Sequence, residues 1–135
     1  MVAITGEAGA SRAALWSGRV ITALVVLFLA LDSGIKLLQL PAVREAMAPL
    51  GYPADLGLVI GVIEAACLVL YVIPQTAVLG AILLTGLLGG SAAAHLRVGD
   101  PLLTHVLFGV YVGILAWGGL YLRDEKLRAL IPLRR

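Results

Sequence analysis

Charged residues are scarce in this chain of 135 residues, where Asp, Glu, Lys and Arg together make up 13%. Soluble domains carry about 25% charged and roughly 45–50% apolar residues, whereas 61% of this chain is hydrophobic. A mean hydropathy of +1.03 shows the same bias. This composition excludes an ordinary soluble domain and indicates a membrane protein. The net charge of +2 comes largely from the chain ends, so it bears on topology, and we expect no nucleic-acid partner.

Cysteine occurs once, as Cys67, inside an apolar run. A single cysteine excludes a disulfide within the chain and a CxxC redox pair. We expect Cys67 to be a small buried apolar residue. The sequence also lacks internal repeats, low-complexity segments and any recognised cofactor motif.

Long apolar segments dominate what is present. Four of them are each close to the roughly 20 residues needed to cross a ~30 Å hydrocarbon core. They cover 19–40, 56–73, 76–96 and 102–122. We therefore predict an all-α membrane protein whose domain, 18–122, is a four-transmembrane-helix bundle. The first segment also resembles the apolar region of a signal peptide, but its positive flank is weak, and we expect it to remain as a span.

The segments outside these spans have distinct compositions. Residues 1–17 are predicted to be a flexible N-terminus, and 123–135 a basic tail containing a short surface helix. In the loop 41–53, Pro41 suits the first turn of a helix. Three apolar residues recur there at helical spacing: Val43, Met47 and Leu50. This pattern predicts a short amphipathic helix on the outer surface, between the first and second spans.

Basic residues determine the predicted orientation. With four spans, both termini lie on one side of the membrane. That side carries Arg12, Arg19, Arg123, Lys126, Arg128, Arg134 and Arg135. The other side carries Lys36, Arg44 and Arg97. Because Lys and Arg are more frequent on the cytoplasmic side, we predict a multi-pass protein of the cell inner membrane with both termini cytoplasmic.

The ionisable residues of the spans all fall in the outer half of the membrane. Asp32 lies about 20 Å along the first helix from its inner end, which is about 10 Å below the outer surface of the core. Lys36 is one turn further out, and Glu64 lies roughly 10–14 Å from the same side. His95 ends the third span and His105 begins the fourth. This agreement among four segments predicts a single polar pocket.

Small residues recur along the same helices. The second span contains "GLVIG", the third "GLLGG" and the fourth "GVYVG". Such GxxxG spacing lets helix backbones approach one another, so we expect these faces to point inward, and they would also allow a homo-oligomer. Tyr111 shares a face with Thr104 and is a further candidate for the pocket.

Each polar residue also has a purely structural interpretation. Asp32 and Lys36 are four residues apart and would neutralise each other as a helical ion pair. Glu64 could be a protonated carboxyl bonded to a neighbouring helix, and the two histidines ordinary interfacial residues. Arg97 and Asp100 are expected in a solvated loop. Ionisable groups within a membrane nevertheless mark function more often than not.

The sequence resembles the DoxX-like family of small bacterial membrane proteins over roughly residues 17–132. Four stretches carry the resemblance: "LDSGIKLL", "GVIEAACLVLYVIP", "AAAHLRVGDPLLTH" and "GILAWGGLYLRDEKLRALIP". The third is the most specific, with its His-Leu-Arg, its Gly-Asp-Pro and the histidine that follows. The resemblance implies a four-helix membrane bundle. Relatives in the wider family are named for a thiosulfate:quinone oxidoreductase subunit, and others are linked to membrane redox complexes.

The first functional hypothesis is a subunit or accessory of a membrane redox system that binds a small amphipathic molecule such as a quinone. Carboxylates and histidines suit a ligand whose redox chemistry is coupled to protons, and a partner protein would supply the electrons. The candidate acid–base residues are Glu64, Asp32, His105 and His95. The candidate ligand-binding residues are Lys36, Asp32, Glu64 and Tyr111.

Three alternatives remain open. The first is a membrane-embedded isomerase or hydrolase, in which burial leaves one carboxyl protonated as the acid and the other ionised as the base. The second is a small proton-coupled transporter, although the inner half offers no polar path. The third is a structural protein whose charges fix helix register. Zinc or iron could bind carboxylates and histidines, but the spacing matches no metal motif. We expect neither a tightly bound metal nor a haem.

Overall fold

The computed structural model describes residues 11–131, and within that range it contains helices and turns but no strand. The order of elements is α1 (Arg12–Leu37), α2 (Pro41–Met47), a 3₁₀ turn (Ala48–Leu50), α3 (Leu56–Val72), α4 (Ala77–Arg97), a π-helical turn (Leu102–Val106), α5 (Phe108–Arg123) and α6 (Glu125–Leu130). The prediction of an all-α chain is confirmed for the described residues.

Helix α1 begins earlier than the hydropathy pattern predicts. The Ser11 hydroxyl accepts a hydrogen bond from the backbone N–H of Ala14 at 3.1 Å, and this N-cap starts the helix at Arg12. Residues 12–17, predicted as part of a flexible terminus, are therefore helical. The rest of that predicted terminus, 1–10, lies outside the described residues. A hydropathy window misses this turn because the cap is polar.

The two predicted short helices are confirmed as α2 and α6. In α2 and the 3₁₀ turn, the three apolar residues of the loop are buried: Val43, Met47 and Leu50. Their side chains pack against the bundle, so α2 is held by tertiary contacts. Helix α6 begins where the Asp124 carboxylate accepts a hydrogen bond from the N–H of Leu127 at 3.0 Å. Residues 132–135 lie outside the described residues.

Three helical segments are long and apolar enough to cross a membrane, namely 12–37, 77–97 and 102–123, the last counted with its π-helical turn. Helix α3 is shorter, with 17 residues, or about 26 Å at 1.5 Å per residue. It ends at Val72, just before Pro74, because a residue that precedes proline is disfavoured in helical conformation. The three longer segments indicate a membrane protein. A count of four spans requires that the shorter α3 also crosses the membrane.

The four long helices form one bundle. Helix α1 packs against α3 and α5, and α4 packs against the same two helices from the other side. The core between them contains aliphatic residues from all four helices, and Cys67 is buried among them as predicted. Tyr71 is fully buried, and its hydroxyl donates a hydrogen bond to the carbonyl of Ala116 at 2.7 Å. Such a bond is needed because a buried hydroxyl without a partner would be costly.

Helices α1 and α5 approach each other closely at two glycines. A Cβ at Gly18 would lie 2.9 Å from the carbonyl oxygen of Gly119, and a Cβ at Gly119 would lie 2.6 Å from Thr22 Oγ1. The same threonine hydroxyl accepts a hydrogen bond from Arg123 Nε at 3.1 Å. These contacts hold the two helices together at the end of the bundle where α1 begins and α5 finishes.

We predict that Gly119→Ala destabilises the bundle, since its new methyl group would push α1 away from α5. Overpacking of this kind costs about 1–3 kcal/mol, and unfolding by SDS titration in mixed micelles measures it. The matched control is Gly118→Ala, because a Cβ there meets nothing within 4 Å. The control should be neutral or slightly stabilising, since alanine favours helix. Equal losses in both variants would contradict the proposed contact.

Candidate functional site

Lys36 joins two carboxylates that come from different helices. Its ammonium donates hydrogen bonds to Asp32 Oδ2 on α1 and to Glu64 Oε2 on α3 at 2.7 Å. Asp32 and Lys36 are four residues apart, which places both on one face of α1. Gly61 allows α3 to come close at that point, because a Cβ there would lie 2.7 Å from Lys36 Cβ. We call Asp32, Lys36 and Glu64 the Lys36 cluster.

The three members of the Lys36 cluster differ in their exposure. The side chain of Asp32 is 32% exposed and that of Lys36 is 16%, whereas that of Glu64 is only 3%. Glu64 Oε1 is buried and has no hydrogen-bond partner among the described residues. Leaving a buried acceptor unsatisfied costs about 1–3 kcal/mol, and more when it is charged. Glu64 is thus a deeply placed group with one oxygen uncommitted.

The Lys36 cluster forms part of the wall of a cavity of about 480 Å³. This volume lies within the range of about 300–1,000 Å³ that is typical of small-molecule sites. The wall is otherwise mainly apolar and aromatic, with contributions from Phe28, Leu29, Met47, Leu50, Tyr52, Ile60, Leu87, Leu88 and Phe108. The rings of Phe28 and Phe108 meet edge to face, 5.5 Å apart. An apolar chamber with a small charged group on its wall suits an amphipathic ligand.

Glycines of α4 enlarge this cavity. Gly86 and Gly90 line it, and a Cβ at either would meet nothing within 4 Å. Both glycines are nevertheless exposed, so the inward face and close helix contact expected at "GLLGG" are absent there. By contrast, a Cβ at Gly109 on α5 would lie 2.9 Å from the carbonyl oxygen of Leu88. The repeated GxxxG pattern therefore has two roles, close packing on α3 and α5 and open space on α4.

The α2 segment covers one end of the cavity, the end where α1 and α4 finish and α3 and α5 begin. We call this the polar end of the bundle. Met47, Leu50 and Tyr52 contribute to the cavity wall there. Arg97, at the last position of α4, donates a hydrogen bond to the carbonyl oxygen of Leu50. The chain turns at Gly51 with a φ of +76°, a conformation that glycine adopts without steric cost.

The structure places the two histidines side by side, but only His95 lines the cavity. His95 Nδ1 lies 2.5 Å from Asp100 Oδ2, so the carboxylate orients the ring. His105 is exposed, and its Nδ1 lies 2.8 Å from Thr104 Oγ1. The ring centroids of His95 and His105 are 5.8 Å apart. His105 is therefore adjacent to the cavity wall and not part of it.

Tyr111 also lies outside the cavity wall. It is 41% exposed, and its hydroxyl donates a hydrogen bond to the carbonyl of Leu103 in the π-helical turn at 2.9 Å. A π-helical turn frees a carbonyl from the regular ladder, and the tyrosine satisfies it. This local partner accounts for the position of Tyr111 on the outer face of α5.

Sequence reasoning missed two residues near the cavity, both assigned to a solvated loop. Asp100 contacts His95, and Arg97 connects α4 to the α2 segment. The glycine in "HLRVGD" was a signal for a turn. Gly99 has a φ of +77° and turns the chain back, so that Asp100 faces the last turn of α4. Among residues 11–131, no group of three His, Cys, Asp or Glu side chains is placed to hold a metal ion.

These features define an integral membrane protein of the all-helical class, with a polar cluster on the wall of a cavity between its helices. The chain belongs to the DoxX-like family, whose family model matches residues 20–119. The matched range includes the whole Lys36 cluster and both histidines. No curated protein and no solved structure gives a significant match to the chain.

We predict that Lys36→Met destabilises the protein, because it leaves the buried Glu64 carboxylate without its counter-charge. Removing one partner of a buried ion pair costs about 3–5 kcal/mol, measurable by SDS titration. The double variant Lys36→Met/Glu64→Gln should recover much of that loss. The control is Lys126→Met, which removes an exposed ammonium on α6. Strictly additive losses in the double variant would show that the two groups do not interact.

Proposed function

We propose that this DoxX-like membrane protein binds a small amphipathic, quinone-like molecule in the cavity beside the Lys36 cluster. The polar head of the ligand would meet Lys36 and Glu64, and its apolar body would lie along the aromatic and aliphatic wall. The observation that carries the proposal is that Glu64, which lines a cavity of about 480 Å³, has a buried oxygen, Oε1, with no hydrogen-bond partner among the described residues. A ligand that satisfied this oxygen would remove the cost of leaving it unpaired.

The proposed topology has four spans in the cell inner membrane, with both termini in the cytoplasm. Helix α3 packs in the same ring as the three longer helices, and its length of about 26 Å is close to the ~30 Å of a bilayer core, a small mismatch that local thinning would accommodate. The excess of Lys and Arg at the other end favours an outward position for the polar end. A ligand would then reach the cavity from the outer half of the membrane.

The proposed role is that of a subunit or accessory in a membrane redox system. Quinone chemistry moves protons together with electrons, and Glu64, Asp32 and His95 are groups that accept and donate protons. A separate membrane partner would carry the electrons. The resemblance to relatives named for a quinone-linked oxidoreductase subunit supports this role.

A second candidate function is acid–base catalysis on an apolar substrate, of the isomerase or hydrolase type. It is favoured by the position of Glu64, a carboxyl group that lines the cavity and has one oxygen without a hydrogen-bond partner among the described residues, because a general base needs a free oxygen. Asp32 and Lys36 would then set the charge of the site. Turnover of a substrate by the isolated protein, lost in Glu64→Gln, would distinguish this function from binding alone.

We predict that the protein purified in mild detergent retains a defined small molecule, and that Glu64→Gln loses it. Mass spectrometry of the extracted small molecules makes the comparison. The control is Glu125→Gln, the same chemical change at a carboxylate whose side chain is 67% exposed on α6. A compound retained equally by all three proteins, or bulk lipid alone in each, would contradict the proposed site.

We also predict that Gly86→Leu displaces the ligand without altering any charge. A leucine side chain at this position would occupy the open space of the cavity. Its matched control is Gly89→Leu, because a Cβ at Gly89 also meets nothing within 4 Å but Gly89 does not line the cavity. Retention of the ligand by the control and its loss from Gly86→Leu would assign binding to the cavity. Retention by both would place the ligand elsewhere.

A further inference from the structure

We propose that the cavity distinguishes ligands by hydrogen-bond direction, and binds the hydroxyl-bearing, reduced form of a quinone-like ligand more tightly than the oxidised form. This inference rests on the proposed function, since it concerns the same cavity. Its basis is the arrangement of donors and acceptors in the Lys36 cluster.

Lys36 can only donate, because an ammonium has three N–H groups and no acceptor. One N–H is given to Asp32 and one to Glu64 Oε2, which leaves one for a ligand. As the ionised partner of the ammonium 2.7 Å away, Glu64 would only accept. Its Oε1 is the buried atom without a partner among the described residues. Both residues line the cavity, so the cluster would offer a ligand one donor and one acceptor.

A hydroxyl group matches both positions at once. Its oxygen can accept from Lys36 while its hydrogen is donated to Glu64 Oε1. A quinone carbonyl can only accept, so it can use Lys36 but would direct its lone pairs at the carboxylate. With both carboxylates ionised, the cluster carries two negative charges against one positive charge. This charge also disfavours a carbonyl, which can present only lone pairs to Glu64. The reduced form therefore gains one charge-assisted hydrogen bond that the oxidised form lacks.

Such a preference would change the redox behaviour of the bound ligand. Tighter binding of the reduced form stabilises it relative to the oxidised form, which raises the midpoint potential of the bound couple. For a two-electron couple, each tenfold preference corresponds to about 30 mV. The cavity would then hold its ligand as a quinol until a partner with a higher potential oxidises it.

The test uses two redox-inert probes, para-nonylphenol and para-nonylanisole, of which only the first has an O–H donor and the second carries one additional methyl group. Each is titrated into the full chain in lipid nanodiscs, and the bound probe is counted by mass spectrometry after the nanodiscs are isolated. Nanodiscs without protein correct for partition into lipid. Wild type should bind the phenol at least tenfold more tightly than the methyl ether. The alkyl hydroquinone and quinone pair, titrated without oxygen, should show the same order.

The variant Glu64→Gln should abolish or invert this preference. Because Lys36 can only donate, the new amide must turn its oxygen toward Lys36, and its NH₂ group then replaces Oε1 as a donor. Asp32→Asn retains Glu64 and should keep the preference for the phenol. It also serves as the second variant should Glu64→Gln fail to fold.

The outcomes distinguish a failure of this inference from a failure of the proposed function. Equal binding of the two probes by wild type, or tighter binding of the ether, overturns the inference and leaves the cavity as a ligand site. A preference for the phenol that survives in Glu64→Gln, or is lost in Asp32→Asn, also overturns it, because Glu64 would not be the acceptor. Binding of neither pair overturns the proposed function itself.

Discussion

The pairing of Lys36 with two carboxylates is the interaction on which the rest of the site depends. Transferring an ionised carboxylate such as Glu64 from water to a nearly closed site costs several kcal/mol even after relaxation. Lys36 offsets that cost through a hydrogen bond of 2.7 Å and also binds Asp32 on its own helix. Because the bond to Glu64 crosses from α1 to α3, it fixes the register of these helices as well as their charge.

Glycines make room both for the pairing of Lys36 with Glu64 and for the cavity. Without Gly61, α3 could not come near enough to α1 for Glu64 to reach Lys36. Across the bundle, Gly86 and Gly90 leave space where larger side chains would have closed the chamber. In lipid, helices gain little from burying apolar surface against each other, so close packing is a main source of their association. The helices therefore lose packing contacts at the cavity, which lies beside Glu64, the most buried member of the Lys36 cluster.

Much of the fold and part of the site follow from the sequence, for reasons that differ between residues. Asp32, Lys36 and Glu64 could be assigned to one half of the membrane because helical rise per residue is constant. The bond between Lys36 and Glu64 could not be predicted, since it depends on which helices are neighbours and how they are rotated. The same applies to His95, which lines the cavity, and His105, which does not. Their sequence positions relative to the membrane edge are nearly equivalent.

Turn conformation accounts for the two contacts that sequence reasoning missed. Asp100 meets His95 only because Gly99 takes a left-handed conformation, and Arg97 finds Leu50 only because α2 folds over the polar end. Neither contact has a periodic signature. Polar residues in the loops of a membrane protein therefore tend to be interpreted as solvated, even where they hold the cover of a cavity in position.

Side-chain exposure within the Lys36 cluster decreases from Asp32 through Lys36 to Glu64. Asp32 is the most accessible member, Lys36 is intermediate and Glu64 is nearly closed to solvent. Asp32 is therefore the most open member of the cluster, and Glu64 is the most shielded. A ligand in the chamber meets Glu64 in an apolar environment, where a single hydrogen bond has a larger effect than in water. The cluster thus joins Lys36 to a partly exposed carboxylate on its own helix and to a buried carboxylate on α3, whose second oxygen has no partner among the described residues.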